Sequence, residues 1–362
     1  MDKEAGARIL VYGAGPLGSL FAALLEQGGN DVSILARGQR LAQLREHGIV
    51  LENVVTKERT TTQVRVVDGL APNDAYDLVL VVMRKNHALQ ILPVLAANKK
   101  TPNVAFLMNN AAGPGELVDA LGQDRVLIGF PGSAGYREGH VVHVLTGSEE
   151  DPASVQLGEV DGQVTERTRQ VAHIIDSAPG LKAEIRTDMD AWLKYHVALL
   201  FPSLAPAMRM CGIDNYRLAR TRDGIVLATR AIREGFAVLK SLGLQATPSW
   251  LRLLQWLPEP VLVAYMRKLL SNELMETAMV KHAEAAHDEV LHLANEFEQL
   301  IAASGVPTPT IDQLRPQLGD RVEMLPDGSR QIPLRWGGLV AALAAVAVLL
   351  LGGVLLVAWL VG

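Results

Sequence analysis

The chain has 362 residues, 20% of them charged and 49% hydrophobic, with a formal net charge of −5. That length allows two domains of ordinary size, and so mild an acidic balance gives no electrostatic basis for binding nucleic acid. One cysteine, Cys211, excludes an intrachain disulfide and suits a reducing compartment, while Met1-Asp-Lys-Glu-Ala5 lacks a signal peptide's basic-then-apolar pattern, so synthesis is expected to begin in the cytosol.

The first element is an apolar strand, Arg8-Ile-Leu-Val-Tyr12, which runs into Gly13-Ala14-Gly15-Pro16-Leu17-Gly18 and then into the apolar helix Ser19–Leu25. In this strand–turn–helix setting the glycines carry distinct duties. Gly13 permits the turn, Gly15 lets backbone approach a pyrophosphate, and Gly18 lets helix and strand pack closely. The uncapped N–H groups and positive dipole end of the helix face the phosphates. Asp31–Leu35 is the second strand. Where an NAD site carries an acid for the ribose 2′-hydroxyl, this chain has Ala36-Arg37-Gly38-Gln39-Arg40, so a 2′-phosphate and NADP(H) are expected, with Arg37 as ligand.

A short helix follows at 41–47, then a hairpin-like pair at 48–52 and 60–67. The unbroken apolar run Asp77–Met83 predicts a central parallel strand, buried on both faces. A helix from Asn86 to Ala97 leads to the strand Asn103–Met108. Ligands of open α/β sheets collect at the carboxyl ends of strands, which makes Arg84 a candidate for a cofactor phosphate and Asn109 for the nicotinamide or the substrate. Further strands are expected at 126–130, 140–145, 154–160 and 181–186, with a helix at 164–177.

Strand signals nearly vanish after Thr187. Domain limits are placed at 1–187 for the nucleotide-binding part, 188–314 for a helical part, 315–335 for a proline-bearing linker and 336–362 for a transmembrane helix. The helical part opens on Asp190–Leu200, where Lys194 sits in apolar surroundings and needs a partner or a cleft. Trp250–Met266 carries more apolar surface than a solvated hairpin needs; core packing is the first expectation, and a substrate wall, a homodimer contact or a membrane contact are the others. A long helix is expected over 272–302, with His282, Glu289 and Glu296 nearly on one face. The spacing of its histidines does not make a zinc site, and no metal is expected.

The run 336–362 contains no charged residue, and at about 1.5 Å per residue it exceeds a hydrocarbon core of about 30 Å. Arg330 and Arg335 precede it and nothing basic follows, which predicts a single-pass C-terminal anchor in the cell membrane with the preceding domains cytoplasmic.

Taken in order, Gly13-Ala-Gly-Pro-Leu-Gly18, Arg37-Gly38, Leu78-Val-Leu-Val-Val-Met-Arg84, Asn109 in Met-Asn-Asn-Ala-Ala, Trp192-Leu-Lys194, and Glu289 followed by Ser304-Gly-Val-Pro-Thr-Pro309 resemble ketopantoate reductase (2-dehydropantoate 2-reductase) over residues 8–314. The resemblance implies an α/β, Rossmann-like dinucleotide-binding domain followed by an all-helical domain in the 6-phosphogluconate-dehydrogenase-like arrangement. It implies NADPH as hydride donor, Lys194 as general acid and Glu289 as the group orienting substrate or lysine, with Asn109 near the nicotinamide. A 2-oxo acid or related ketone is the implied substrate. The chain departs from the family at Ala198 and near Phe201-Pro202, where asparagines are usual, and around Thr277 and Lys281, where a serine and an aspartate hold the substrate. Three readings follow: a reductase of a 2-oxo acid or related ketone at the membrane; ketopantoate reductase proper; and a tethered NADP(H)-binding protein without catalysis.

Overall fold

The computed structural model describes residues 6–280 and 286–340. The chain forms two compact units, Met1–Val197 with Glu276–Ala303, and Ala198–Met275 with Ser304–Gly362.

The first unit is built on an eight-stranded sheet. Its strands are β1 (Arg8–Tyr12), β2 (Asp31–Leu35), β5 (Arg65–Val67), β6 (Leu78–Val81), β7 (Asn103–Leu107), β8 (Val126–Phe130), β11 (Ala153–Glu159) and β12 (Leu181–Ile185). The order is β12-β11-β8-β7-β6-β1-β2-β5, parallel except where β11 meets β8. The remaining strands, β3 (Ile49–Asn53), β4 (Arg59–Thr62), β9 (Ala134–Glu138) and β10 (Val141–Leu145), make a second sheet in the order β4-β3-β10-β9.

Alternation along the central strands explains the layers. Ile9, Val11, Leu78 and Leu80 face one core together with Leu20, Phe21 and Leu25 of α1 (Pro16–Gln27), Val171 and Ile175 of the helix Glu166–Asp176, and Val142 and Val144 of the second sheet. Leu10, Tyr12, Val79 and Val81 face the other core, with Leu92 and Leu95 of α3, Leu117 and Leu121 of α4, and Met189, Trp192 and Leu193 of α6. Here α2 is Gly38–His47, α3 Lys85–Ala97, α4 Gly115–Leu121, α5 Glu166–Asp176 and α6 Met189–Leu199. Strands buried on both faces give continuous apolar runs.

The fold differs from the sequence expectation in four places. The stretch 60–67 is not one strand but two, β4 in the second sheet and β5 at the edge of the main sheet. The unforeseen strand β9 forms because Gly135 passes close to β10, where a Cβ would lie 2.6 Å from the His143 carbonyl oxygen. The first unit continues through α6 to Val197 rather than stopping at 187, because Met189, Trp192 and Leu193 are buried in its core. The expected helix over 272–302 is broken: one turn, Glu273–Met275, leads into a π-helical turn, Glu276–Val280, and the long helix α12 runs only His287–Ser304; His282 lies outside the described residues. α12 belongs to the first unit up to Ala303.

The second unit is helical: α7 (Ala205–Met210), α8 (Asn215–Arg220), α9 (Arg222–Ser241), α10 (Arg252–Trp256), α11 (Glu259–Leu270) and α13 (Pro309–Leu314). A π-helical turn, Leu200–Leu204, opens it and contains Pro202. The expected linker 315–335 is a strap laid along this unit. Arg209 Nε donates to the Gln317 carbonyl at 2.8 Å, Arg217 to that of Leu325 at 2.9 Å, and Arg230 to that of Pro333 at 2.8 Å. Asp223 accepts from the backbone N–H groups of Gln331 and Ile332 at 2.8 and 2.9 Å, and Glu259 accepts from that of Arg335 at 2.9 Å. Prolines keep the strap irregular, so its backbone groups are satisfied by side chains instead of by a helix or sheet.

Most of the predicted transmembrane helix, residues 341–362, lies outside the described residues, and among the described residues no helix is long and apolar enough to cross a membrane. Residues 337–340 are helical.

Candidate active site

The glycine turn has the shape that a nucleotide needs. Gly13 has φ 120°, and a Cβ there would lie 2.5 Å from the Val82 carbonyl oxygen; a Cβ on Gly18 would come within 1.8 Å of the Gly13 carbonyl oxygen. Neither position tolerates a side chain. At Gly15, by contrast, a Cβ would meet nothing within 4 Å, so the turn is open on the side where phosphates approach. Gly15 caps α1 without a side-chain hydrogen bond, Pro16 is at its first turn, and no acid is there to oppose an anion. β1 pairs with β2 on one side and β6 on the other, so the turn sits where the strand order reverses.

The two arginines after β2 are not equivalent. Arg37 is exposed and donates to the Tyr12 hydroxyl at 3.3 Å; burial pushes the Tyr12 phenol up, and the Arg37 charge only partly offsets this. Arg40 is buried and spent on the fold: Nε donates to the Ala14 carbonyl at 3.2 Å, Nη1 to that of His140 at 3.3 Å, and Nη2 to Ser19 Oγ at 2.9 Å. Burial, with the Arg137 charge added, pushes its guanidinium down to about 10. Arg40 therefore braces the glycine turn, while Arg37 stays exposed.

At the carboxyl ends of β6 and β7 the other candidates gather. Arg84 Nη1 donates to Asp288 Oδ1 at 2.7 Å, and Asn86 Nδ2 to Asp288 Oδ2 at 2.8 Å, so the structure turns Arg84 toward the start of α12. Burial raises the Asp288 carboxyl, but the Asn86 hydrogen bond and the Arg84 charge outweigh it, leaving the group below its ordinary value. Asn109 follows β7, its Nδ2 3.5 Å from Oε1 of the buried Glu289. Asn109 Oδ1 is buried and has no hydrogen-bond partner among the described residues. An orphaned buried acceptor of this kind fits a ligand that brings N–H groups, as a carboxamide does.

Lys194 lies at the far end of the same loop. Its ammonium is buried and paired with Asp190, one helical turn earlier on α6, and a Cβ at Gly113 would lie 3.2 Å from both Lys194 Nζ and Asp190 Oδ1. The partner that the sequence required for this lysine is thus Asp190, and the signal for it was legible as an i, i+4 pair. The segment Asn109–Gly113 accordingly has Glu289 at one end and Lys194 at the other.

Two further charges behind this loop were not recognised as a unit. Lys85 is wholly buried; its Nζ is 2.5 Å from Glu296 Oε1 and donates to Asn110 Oδ1 at 2.7 Å. Glu296 Oε2 accepts from the backbone N–H groups of Ala111 and Ala112 at 3.0 and 3.1 Å, and Asn110 closes the loop onto Gly113 with two hydrogen bonds of 2.9 Å. The loop that carries Asn109 is therefore fastened by a satisfied ion pair. Among the described residues no group of acids, histidines or cysteines is placed to hold a metal ion.

A family model described as "Ketopantoate reductase PanE/ApbA" matches residues 9–162. Over that stretch, less than half of the chain, it resembles the ketopantoate reductase family. Proteins of that family are NADP(H)-dependent oxidoreductases acting on a CH–OH/C=O couple. The chain is 28% identical over 242 residues to a protein of Archaeoglobus fulgidus named 2-dehydropantoate 2-reductase, covering 65% of this chain and 75% of the relative. Among solved structures, a putative ketopantoate reductase from Ralstonia solanacearum superposes with a TM-score of 0.70 at 20% identity, covering 86% of this chain and 97% of the other. D-mandelate dehydrogenase in a ternary structure with NADH and anilino(oxo)acetate gives 0.68 at 16% identity, covering 86% and 96%. At these identities the structural likeness is one of fold.

Proposed function

We propose that the chain reduces a 2-oxo acid or a related ketone with NADPH, using Lys194 as the proton donor. The observation that carries the reading is the placement of Lys194 Nζ against Gly113, on the loop that begins with Asn109 at the carboxyl end of β7. When bound, NADPH would supply the hydride to the carbonyl carbon. The first turn of α1, from Gly13 to Gly18, would hold its pyrophosphate, Arg37 its 2′-phosphate, and Asn109 its carboxamide.

The remaining chemistry belongs to side chains. As negative charge develops on the carbonyl oxygen, the Lys194 ammonium stabilises it and transfers a proton to it; solvent then returns a proton to the amine. Asp190 holds the ammonium in place, so no reorganisation is needed at the moment of reaction. Glu289, buried beside Asn109, orients that amide and with it the reacting face. This division gives the orienting duty for the lysine to Asp190 and leaves Glu289 to the amide.

Ketopantoate is a second, narrower reading of the substrate, favoured by the name of the Archaeoglobus fulgidus relative. Ala198 and Phe201, which stand where the family pattern has asparagines, count against that narrower reading. An NADPH-oxidation screen over branched 2-oxo acids, ketopantoate among them, tests both. Turnover of one or more supports the reductase; turnover of ketopantoate above the others selects the narrower reading; NADPH binding without turnover of any would leave a nucleotide-binding protein.

The same proposal fixes the chain to a bilayer through residues 336–362, with both units on the cytoplasmic side. The charge-free composition of that run and the cations Arg330 and Arg335 before it support this. Full-length protein in the soluble fraction after lysis without detergent would count against it.

A further inference from the structure

The second unit exposes an apolar corner that its own fold does not use. Trp250, Leu253 and Trp256, three residues apart through the short helix α10, are 51%, 57% and 79% exposed. α11 continues the pattern, burying Leu262, Val263 and Met266 while leaving Val261 and Tyr265 to solvent. Core packing, the first expectation for this segment, accounts for only one of its faces.

The start of the charge-free run is fastened to the same corner. Glu259, at the first turn of α11, is buried, holds Arg230 through two hydrogen bonds of 2.9 Å, and accepts from the Arg335 backbone at 2.9 Å. A Cβ on Gly338 would lie 3.9 Å from Pro258 Cα, two residues after Trp256. The end of the strap is therefore held at the start of α11, by Arg335 on Glu259 and by Gly338 against Pro258. A span that begins there brings this corner, and not an arbitrary face, to the bilayer.

Charge agrees. Between Trp250 and Leu270 the exposed ions are Arg252, Arg267 and Lys268, while the single acid, Glu259, is buried and paired. Next to α11 a cavity of about 400 Å³ is lined by Arg222, Arg267 and Arg330 together with Pro260 and Val263. Arg267 and Arg330 make no side-chain hydrogen bond or ion pair with another described residue.

We propose that this corner is a docking surface for an anionic phospholipid bilayer: Trp250, Leu253 and Trp256 enter the interface, and Arg267 and Arg330 meet lipid phosphates. The inference rests on the reading of 336–362 as an anchor and adds to it a fixed orientation, in place of a domain swinging on a tether. Aromatic rings favour the headgroup level, and interfacial apolar side chains sink about 5–10 Å below it.

The test uses the full chain with Leu253→Cys carrying an environment-sensitive fluorophore. Cys211 stays unlabelled, since it is buried and its thiol is pushed up to about 11, burial being the main cause. Val55→Cys, on an exposed turn of the first unit, is the control. In phosphatidylcholine–phosphatidylglycerol vesicles that float with the protein, the probe at 253 is expected to shift to the blue and be quenched by nitroxide lipids, and the probe at 55 to remain aqueous. Arg267→Gln and Arg330→Gln should each lower the docked-to-free ratio by about five-fold without changing flotation. A chain that does not float overturns both anchor and docking. A chain that floats with an aqueous probe at 253 overturns the docking alone. An equal blue shift in pure phosphatidylcholine, unmoved by the arginine changes, overturns the anionic lipid; a blue shift that grows with protein concentration in detergent identifies a second copy as the occupant and overturns the bilayer.

Discussion

Two lysines flank the loop from Asn109 to Gly113, and they are held in opposite ways. Lys85 is 0% exposed and has an ion pair with Glu296 and a hydrogen bond to Asn110, whose partners in turn grip the loop backbone. Lys194 is 8% exposed and has one hydrogen-bond partner among the described residues, Asp190. An ammonium has three donors. Where they are taken up by the fold, the charge can only hold the chain together; where some are to spare, it can act on a ligand. The arginines repeat the contrast: Arg40 is spent on bracing the glycine turn, and Arg37 stays exposed.

The largest effect should come from Lys194. Lys194→Ala is expected to lower turnover of any accepted ketone by about 10²–10⁴-fold while leaving NADPH affinity within a few-fold, read by steady-state kinetics and by fluorescence titration. Loss of affinity with little loss of turnover would reverse the roles of the two lysines. Next is Glu296→Ala, which strands the Lys85 ammonium in the core and should cost about 3–5 kcal/mol of stability in urea unfolding; replacing both partners, Lys85→Met with Glu296→Leu, should recover most of it.

These two predictions bear on what the sequence could and could not reveal. The central sheet, α1 and the glycine turn were legible because periodicity and glycine placement are local signals. Lys194 was legible as a charge in an apolar helix, and Asp190 stood in plain sight one turn before it. The Lys85–Glu296 pair was not, since its members are 211 residues apart and each alone reads as a solvated charge. The strap was misread as a linker for a similar reason. Proline and irregular composition speak of missing secondary structure, but not of the arginines on α7, α8 and α9 that take up its carbonyl groups.

A smaller difference is expected between the arginines. Arg37→Ala should weaken NADPH by about 10-fold more than NADH, a charge-assisted contact being worth about 1.5–3 kcal/mol. Arg40→Gln should weaken both cofactors alike and lower stability. Equal weakening by Arg37→Ala would remove the 2′-phosphate assignment.

The smallest effect concerns the strap. Burial raises the Glu259 carboxyl, yet the Arg230 hydrogen bonds, the Arg335 backbone donor and the charges of both arginines bring it below its ordinary 4.5; the Arg220 hydrogen bond does the same for Asp327. A carboxyl lowered by folding stabilises the folded state at pH above its unfolded value and loses that contribution as pH falls through the lowered one. Cleavage by an acid protease within 315–335 should therefore rise as pH drops below the ordinary carboxylate range, before the sheet of the first unit opens. Simultaneous loss of both would show that the strap has no stability of its own.

The most direct test is a crystal structure of the full chain with NADPH and a 2-oxo acid that it turns over. The account predicts the pyrophosphate on the first turn of α1, the 2′-phosphate on Arg37, the nicotinamide carboxamide at Asn109, and the substrate carbonyl oxygen within about 3–3.5 Å of Lys194 Nζ. A carbonyl held by other groups, with the Lys194 ammonium still closed on Asp190 and turned from the ligand, would contradict it.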